Sequence, residues 1–109
     1  MATGTINVEG VQTFTPQIKT GFTLRSWGSV SGTKIGNIVI VSANGLYSGS
    51  AVSSNTAMLS IPYSSKGNVV ISFAKDTAGV ASIYENESII YGNSIEANKN
   101  MYFQIIIVV

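Results

Sequence analysis

Few side chains in this sequence could carry out chemistry, and two of the most useful types are missing. The 109 residues contain no cysteine and no histidine, which excludes disulfides, thiolate or imidazole metal sites, and nucleophiles activated by a histidine base. Glu85 and Glu87 are the one close pair of carboxylates. They fall in a predicted turn, which offers neither of them the burial that a glycosidase acid requires. We therefore predict a protein that is not an enzyme and that uses no metal and no cofactor.

The sequence also disfavours a phosphate-binding loop, nucleic acid and an anionic membrane surface as ligands or partners. The segment Gly32-Thr33-Lys34 superficially resembles a phosphate-binding loop, but that loop needs Gly-Lys followed by Ser or Thr at the start of a helix. A turn between strands is the better interpretation. The net charge is only +1, so the chain has no field with which to hold nucleic acid or an anionic membrane surface.

The remaining candidates are aromatic and planar polar groups, the types that bind sugars. Apolar sugar faces stack on aromatic rings, while sugar hydroxyls accept and donate hydrogen bonds to amide, carboxylate and guanidinium groups. The side chains predicted to bind a saccharide are Trp27, Tyr63 and Asp76 first, followed by Tyr47 and Arg25. We place them on loops and strand ends at the rim of an assembly, between neighbouring copies of the chain.

Each aromatic residue also has a structural interpretation. Trp27 lies in an alternating segment, where a tryptophan is more often a core residue than a ligand platform, while Tyr84 and Tyr91 near strand ends fit packing roles with their hydroxyls at the rim. Tyr47 and Tyr63 fall in predicted loops, where an aromatic ring has less structural reason to be present.

The composition indicates the elements that must position these residues. Val and Ile together number 25 against three Leu, and nine Thr add to the β-branched total. Such residues suit a pleated sheet and lose rotamer freedom in helices. Turn signals recur every eight to twelve residues along the chain, a spacing typical of a sandwich, jelly roll or small barrel. We predict an all-β, antiparallel β-sandwich or jelly-roll-like domain of about eight strands.

The chain divides into two parts in this interpretation. Residues 1–20 form an amino-terminal arm, linker or edge strand, and residues 21–109 form the sandwich domain. Turns are expected at Ser31 to Thr33 and at Asn44-Gly45, with a flexible loop after the latter. Further strands are expected at residues 57–61, 69–73, 80–84, 88–91 and 101–109.

Several predicted strands are apolar on both faces. Ile38 to Val41, Val69 to Ile71 and Ile105 to Val109 lack the alternation expected of a strand with one wet face. Other copies of the same chain would cover the second face, with the terminal strand near the symmetry axis. We therefore predict a homotrimer. The alternative is that these runs are bulged or lie under the amino-terminal arm.

No targeting or membrane-spanning segment is visible. Residues 1–9 lack the basic and apolar regions of a secretory signal. The apolar run Met101 to Val109 is far shorter than the roughly 20 residues that span a bilayer as a helix. We expect folding in the cytoplasm and no membrane insertion.

The order of motifs over about residues 20–109 resembles the carboxyl-terminal head domains of bacteriophage tail-tip and baseplate receptor-binding proteins, from long-tailed phages of Gram-positive bacteria. The segments that carry this resemblance are Gly21-Phe22-Thr23-Leu24, Trp27-Gly28, Lys34 to Val41, Ile61-Pro62, Gly79-Val80 and Met101 to Val109. The second proline that often follows in such domains is missing here, since Tyr63-Ser64 succeeds Ile61-Pro62.

The resemblance implies a trimeric β-sandwich or jelly roll that is part of a virion, contacts other tail or baseplate proteins and binds saccharides of the host envelope. It transfers no binding residue. The leading hypothesis is a non-enzymatic adhesin head that recognises a host cell-wall or surface polysaccharide. The alternative is a structural virion module, such as a tail or capsid decoration domain without a glycan ligand. A polysaccharide depolymerase is disfavoured because no buried carboxylate pair is expected.

Overall fold

The protein is all-β, as the excess of β-branched residues predicts. The computed structural model describes residues 11–109, and these contain nine strands and no helix. The strands are β1 (Val11–Phe14), β2 (Gln17–Ile18), β3 (Phe22–Ile35), β4 (Ile38–Ser48), β5 (Thr56–Ser60), β6 (Val69–Phe73), β7 (Gly79–Ile83), β8 (Ile89–Asn93) and β9 (Met101–Val108).

The strands form two antiparallel sheets that pack as a sandwich, which confirms the predicted fold class. The first sheet has the order β1-β3-β4-β9 and the second has the order β2-β5-β8-β7-β6. Successive strands β1 and β2 lie at the edges of different sheets, and Pro16 lies between them. Proline has no N–H to donate to a ladder, so the chain can leave one sheet there and enter the other.

The core lies between the two sheets and is built by alternation along the strands. In β9, Met101, Phe103, Ile105 and Ile107 point inward and are buried, and so are Val39, Val41 and Ala43 of β4. From the second sheet, side chains such as Met58, Leu59, Ile83 and Ile90 meet them. This buried set leaves the residues between them facing outward.

Apolar residues do occupy both faces of the first sheet, as the sequence predicts. Ile106 is 54% exposed and Val108 is 44% exposed, although Ile105 and Ile107 beside them are fully buried. The register joins these residues to apolar neighbours, because Ile106 lies opposite Ile40. Of the predicted amino-terminal arm or edge strand, residues 11–20 contain the edge strands β1 and β2, and residues 1–10 lie outside the described part of the chain.

The prediction of a turn at Ser31 to Thr33 is wrong. These residues continue β3, and the hairpin turn lies at Gly36-Asn37, between the paired Ile35 and Ile38. Gly36 has a φ of 58°, and a positive φ at the first turn residue is what a type II′ hairpin requires. Gly32 is a glycine for another reason, since a Cβ there would clash with the ring of Phe14 on β1.

The prediction of a turn at Asn44-Gly45 is also wrong, and the loop predicted after it starts later than expected. The strand β4 runs through both residues to Ser48, and Gly45 forms a bulge within it. The loop begins only at Gly49 and is tied down by reciprocal backbone hydrogen bonds between Val52 and Ile95, at 2.8 and 3.0 Å. A glycine with positive φ can serve a bulge as well as a turn, which the local sequence does not distinguish.

Candidate functional site

A bulge shared by three strands creates the most distinctive surface of the molecule. Leu24 of β3 pairs with Leu46 of β4, but the next paired residues are Ser29 and Asn44, so four residues of β3 lie opposite Gly45 alone. The pairing of β4 with β9 also shifts at Gly45. The unpaired residues 25–28 of β3 bulge away from β4 at this point, and they include Arg25 and Trp27.

Gly45 is the base on which the Trp27 ring rests. Its φ is 71°, and an added Cβ would lie 2.6 Å from a ring carbon of Trp27. A side chain at this position would therefore displace the indole. Trp27 is 59% exposed, so the interpretation of Trp27 as a core residue is wrong for the isolated chain.

Trp27 and Tyr102 form a pair of nearly parallel rings on the outer face of the first sheet. Their centroids are 6.1 Å apart and their planes differ by 14°. Tyr102 of β9 lies opposite Asn44, next to the bulge. The ammonium of Lys75, from the turn between β6 and β7, is 4.4 Å from the centroid of the Tyr102 ring, which is within the range of a cation–π contact. We call Trp27, Tyr102 and Lys75 the aromatic platform.

A chain of polar contacts continues from the platform across the rim. The Arg25 guanidinium stacks on the Tyr47 ring at 3.7 Å. Its Nε donates to Asn100 Oδ1 at 2.6 Å, and an Nη donates to the carbonyl oxygen of Asn98 at 2.8 Å. The Asn100 amide donates in turn to the Asp76 carboxylate at 3.4 Å. Arg25 thus ties the β3 bulge to the loop between β8 and β9.

The turn that carries Lys75 and Asp76 has an unusual backbone. Asp76 has a φ of 64°, and the Thr77 N–H donates to the Lys75 carbonyl at 2.7 Å. A hydrogen bond from residue i+2 to residue i around a positive φ describes a classic γ-turn, which is rare and strained. Thr77 is buried, and its hydroxyl accepts the Glu96 N–H at 3.4 Å. These contacts fix the turn against the β8–β9 loop, which holds Lys75 and Asp76 at the platform.

Four of the five residues that the sequence singles out meet here. Trp27, Arg25, Tyr47 and Asp76 belong to one connected set of contacts, although Tyr47 lies on β4 rather than in the predicted loop. Sequence reasoning did not identify Tyr102, Lys75, Asn98 or Asn100. The alternation along β9 could have identified Tyr102, because Tyr102 and Gln104 both occupy positions on the outward face of the strand.

Tyr63 lies elsewhere, and the expectation that it lacks a packing role is wrong. Its ring packs edge-on against Phe14 with centroids 5.4 Å apart, and its hydroxyl donates to Gln12 Oε1 at 3.0 Å. Lys34 Nζ, near the far end of β3, is 5.6 Å from the ring centroid. Lys34 is seven residues from Trp27 along that strand, a separation of roughly 20 Å. Tyr63 and Trp27 therefore do not share one site.

The aromatic platform is an open surface. The described residues enclose no pocket, and this surface can hold a flat ligand by stacking and hydrogen bonding. Arg25 and Lys75 provide positive charge, and Asp76 provides negative charge. A ligand with an apolar face and several hydroxyls matches this set of groups.

Neither any family model nor any curated protein matches the chain. Within residues 11–109, the structure contains no helix of the length and apolarity needed to cross a membrane.

Proposed function

We propose that the protein is a non-enzymatic adhesin head, part of a bacteriophage tail tip or baseplate, that recognises a saccharide of the host cell wall or surface. The observation that carries the proposal is the exposed Trp27 ring, nearly parallel to the half-buried ring of Tyr102, beside Lys75 and Asp76. An exposed tryptophan held over a glycine has no evident packing function in the isolated chain. It is well suited to stack on a sugar ring.

The energetics of sugar binding explain why the rings matter most. Each hydrogen bond to a sugar replaces one to water and contributes only about 0.5 to 1.5 kcal/mol. Affinity must therefore come from removing an apolar sugar face from water on the rings. Repetition of the site in an assembly can add roughly a hundredfold or more.

We propose further that the head is a homotrimer whose copies meet through the outer face of the first sheet. One row of paired residues across the four strands is entirely apolar, and Ile40 and Ile106 extend it. We call this set the apolar patch; its residues are Val11, Ile35, Ile38, Ile40, Ile106 and Val108. Four of them are 38% exposed or more, and burial of such a surface between copies is favourable.

The apolar patch and the aromatic platform share one sheet face. Tyr102 and Ile106 lie four residues apart on β9, which corresponds to about 13 Å. A neighbouring copy that covers the patch would therefore lie close to the platform. This arrangement supports a site near the boundary between subunits.

The test compares aromatic residues in and outside the platform. Trp27→Leu and Tyr102→Leu should each reduce binding to host cell walls by about tenfold, since each removes a stacking ring. Tyr63→Leu removes a ring far from the platform and should bind like the wild type. Melting temperature and molar mass would be checked for each variant. Equal binding by all three variants would contradict the proposed site.

The apolar patch also supports the second candidate, a structural virion module whose faces are used in assembly. The two functions differ in one measurement, because only the adhesin binds a glycan. An assembled wild-type protein that binds neither host cell walls nor their polysaccharides at micromolar concentration would favour the structural module. Release of reducing ends from those polysaccharides would instead indicate a depolymerase.

A further inference from the structure

A second cluster of aromatic and amide side chains covers the outer face of the second sheet. The rings of Tyr84 and Tyr91 are 5.6 Å apart between centroids and tilted by 46°. Tyr91 of β8 lies opposite Ser82 of β7. Ser82 is only 3% exposed although its position faces outward, and its hydroxyl is 3.4 Å from that of Tyr84. The tyrosine rings therefore lie over the sheet rather than extending into solvent.

Hydrogen bonds hold both tyrosines in place. Asn55 Nδ2 donates to the Tyr84 hydroxyl oxygen at 2.6 Å, and Asn93 Nδ2 donates to Asn55 Oδ1 at 3.0 Å. At the other end, the Tyr91 hydroxyl donates to Glu87 Oε1 at 2.7 Å. Contacts from three different segments thus fix the two rings before any ligand arrives, which reduces the entropy that binding would cost.

The cluster retains hydrogen-bonding capacity that faces solvent. Among the described residues, the Tyr84 hydroxyl oxygen accepts from Asn55, and its other contact is a long one of 3.4 Å to the Ser82 hydroxyl, which can act as the donor and leave the Tyr84 proton to a ligand. The Asn55 amide keeps a second N–H, because an amide nitrogen has two donors. Asn55 is exposed, and the two tyrosines and Asn93 are half-buried. Donors and acceptors therefore surround two partly exposed rings.

We propose that Tyr84, Tyr91, Asn55 and Asn93 form a second saccharide-binding surface that takes a neutral sugar. The rings would cover an apolar sugar face, and the Tyr84 hydroxyl and the two amides would bond its hydroxyls. The charged group in direct contact with this cluster is the Glu87 carboxylate, which opposes binding of an anionic sugar. This surface is separate from the aromatic platform on the other sheet, and the proposal does not depend on the one made for Trp27.

The experiment is a titration of the nitrogen-15-labelled full chain, followed by nuclear magnetic resonance, with cellobiose and diacetylchitobiose as neutral probes. Saturable shifts are expected in the side-chain amide signals of Asn55 and Asn93. Glycerol serves as the control, because it offers hydroxyls without a sugar ring. Absence of saturable shifts up to the solubility limit of both probes would overturn the proposal, as would equal shifts with glycerol.

Variants assign the binding to the rings. The double variant Tyr84→Leu/Tyr91→Leu should weaken binding of the probe by at least about tenfold. Asn55→Ala changes an exposed residue and should weaken it by about fivefold, which keeps the test available should the double variant fail to fold. Unchanged affinity in Asn55→Ala together with a folded, fully binding double variant would overturn the proposal.

The platform variant Trp27→Leu separates the two proposals. It should leave the shifts of Asn55 and Asn93 unchanged, because Trp27 lies on the other sheet. Failure of the wild type to bind host cell walls, with the amide shifts present, would contradict the adhesin function alone. Loss of the shifts in Trp27→Leu would show that the probe binds at the platform and would overturn the second surface.

Discussion

Ile106 offers a direct test of the proposed trimer, because the sheet places it in the apolar patch while its neighbour Ile107 is buried. Ile106 is 54% exposed and Ile107 is fully buried. Complete burial of an isoleucine side chain contributes about 1.5 to 3 kcal/mol, so covering the exposed 54% would contribute about 0.8 to 1.6 kcal/mol per subunit. Three copies would together contribute about 2.4 to 4.8 kcal/mol.

Ile106→Asp should remove this contribution and add the cost of burying an unpaired charge, which is several kcal/mol. The total loss exceeds about 4 kcal/mol, which lowers the assembly constant by more than about a thousandfold. In the separate subunit the same side chain faces water. The fold should therefore survive, at a cost of about 1 kcal/mol from the lower β-propensity of Asp.

Light scattering at micromolar concentration measures the outcome. The wild type should have three times the chain mass of 11.5 kDa, and Ile106→Asp should have the mass of one chain with its β-sheet circular dichroism retained. Val70→Asp is the matched control, because Val70 is 62% exposed on β6 of the second sheet, away from the patch, and should leave the trimer intact. Ile107→Asp should unfold the chain. A wild-type mass of one chain, or a trimeric Ile106→Asp, would refute the reasoning.

Three further perturbations test the contacts around the two surfaces. Gly45→Ala puts a side chain at a φ of 71° against Trp27, so it should lower stability by about 1 to 2 kcal/mol and change the tryptophan emission. In the control Gly49→Ala the added methyl group contacts no other atom and should alter neither property. Equal melting temperatures for the two variants would contradict the role assigned to Gly45. Arg25→Lys keeps the charge but loses the forked donors that reach Asn98 and Asn100. Urea unfolding should therefore show a free energy of unfolding lower by about 1 kcal/mol. An unfolding midpoint equal to that of the wild type would show that these two hydrogen bonds are dispensable. The hydrogen bond to the Glu87 carboxylate, with smaller effects of burial and nearby charge, raises the pKa of Tyr91 above its ordinary value of 10.0. The contribution of this hydrogen bond to stability is therefore present below pH 10 and lost as the pH rises through the raised pKa. An ultraviolet titration should show a late-ionising phenol that Glu87→Gln shifts to lower pH, while identical curves would refute the assignment.

The sequence by itself determined the fold class and most strand positions. An excess of Val and Ile favours strands wherever the chain can pair, and the turn signals before Val69 and after Phe73 delimit β6 without further information. The apolar character of both faces of β4 and β9 was likewise visible, because it depends only on consecutive residue types. Of the five residues named from their chemistry, Trp27, Arg25, Tyr47 and Asp76 lie in one connected set of contacts.

Tertiary structure decided what the glycines do and which site residues meet. Gly36, Gly32 and Gly45 are equally permissive in isolation, but one forms a turn, one admits the ring of Phe14 and one forms the bulge beneath Trp27. Arg25 meets Asn100, 75 residues away, and Trp27 meets Tyr102. Such contacts arise from the pairing of β3 with β4 and of β4 with β9. Local propensity does not fix that register, because it follows from which faces of the strands can be buried together in one core.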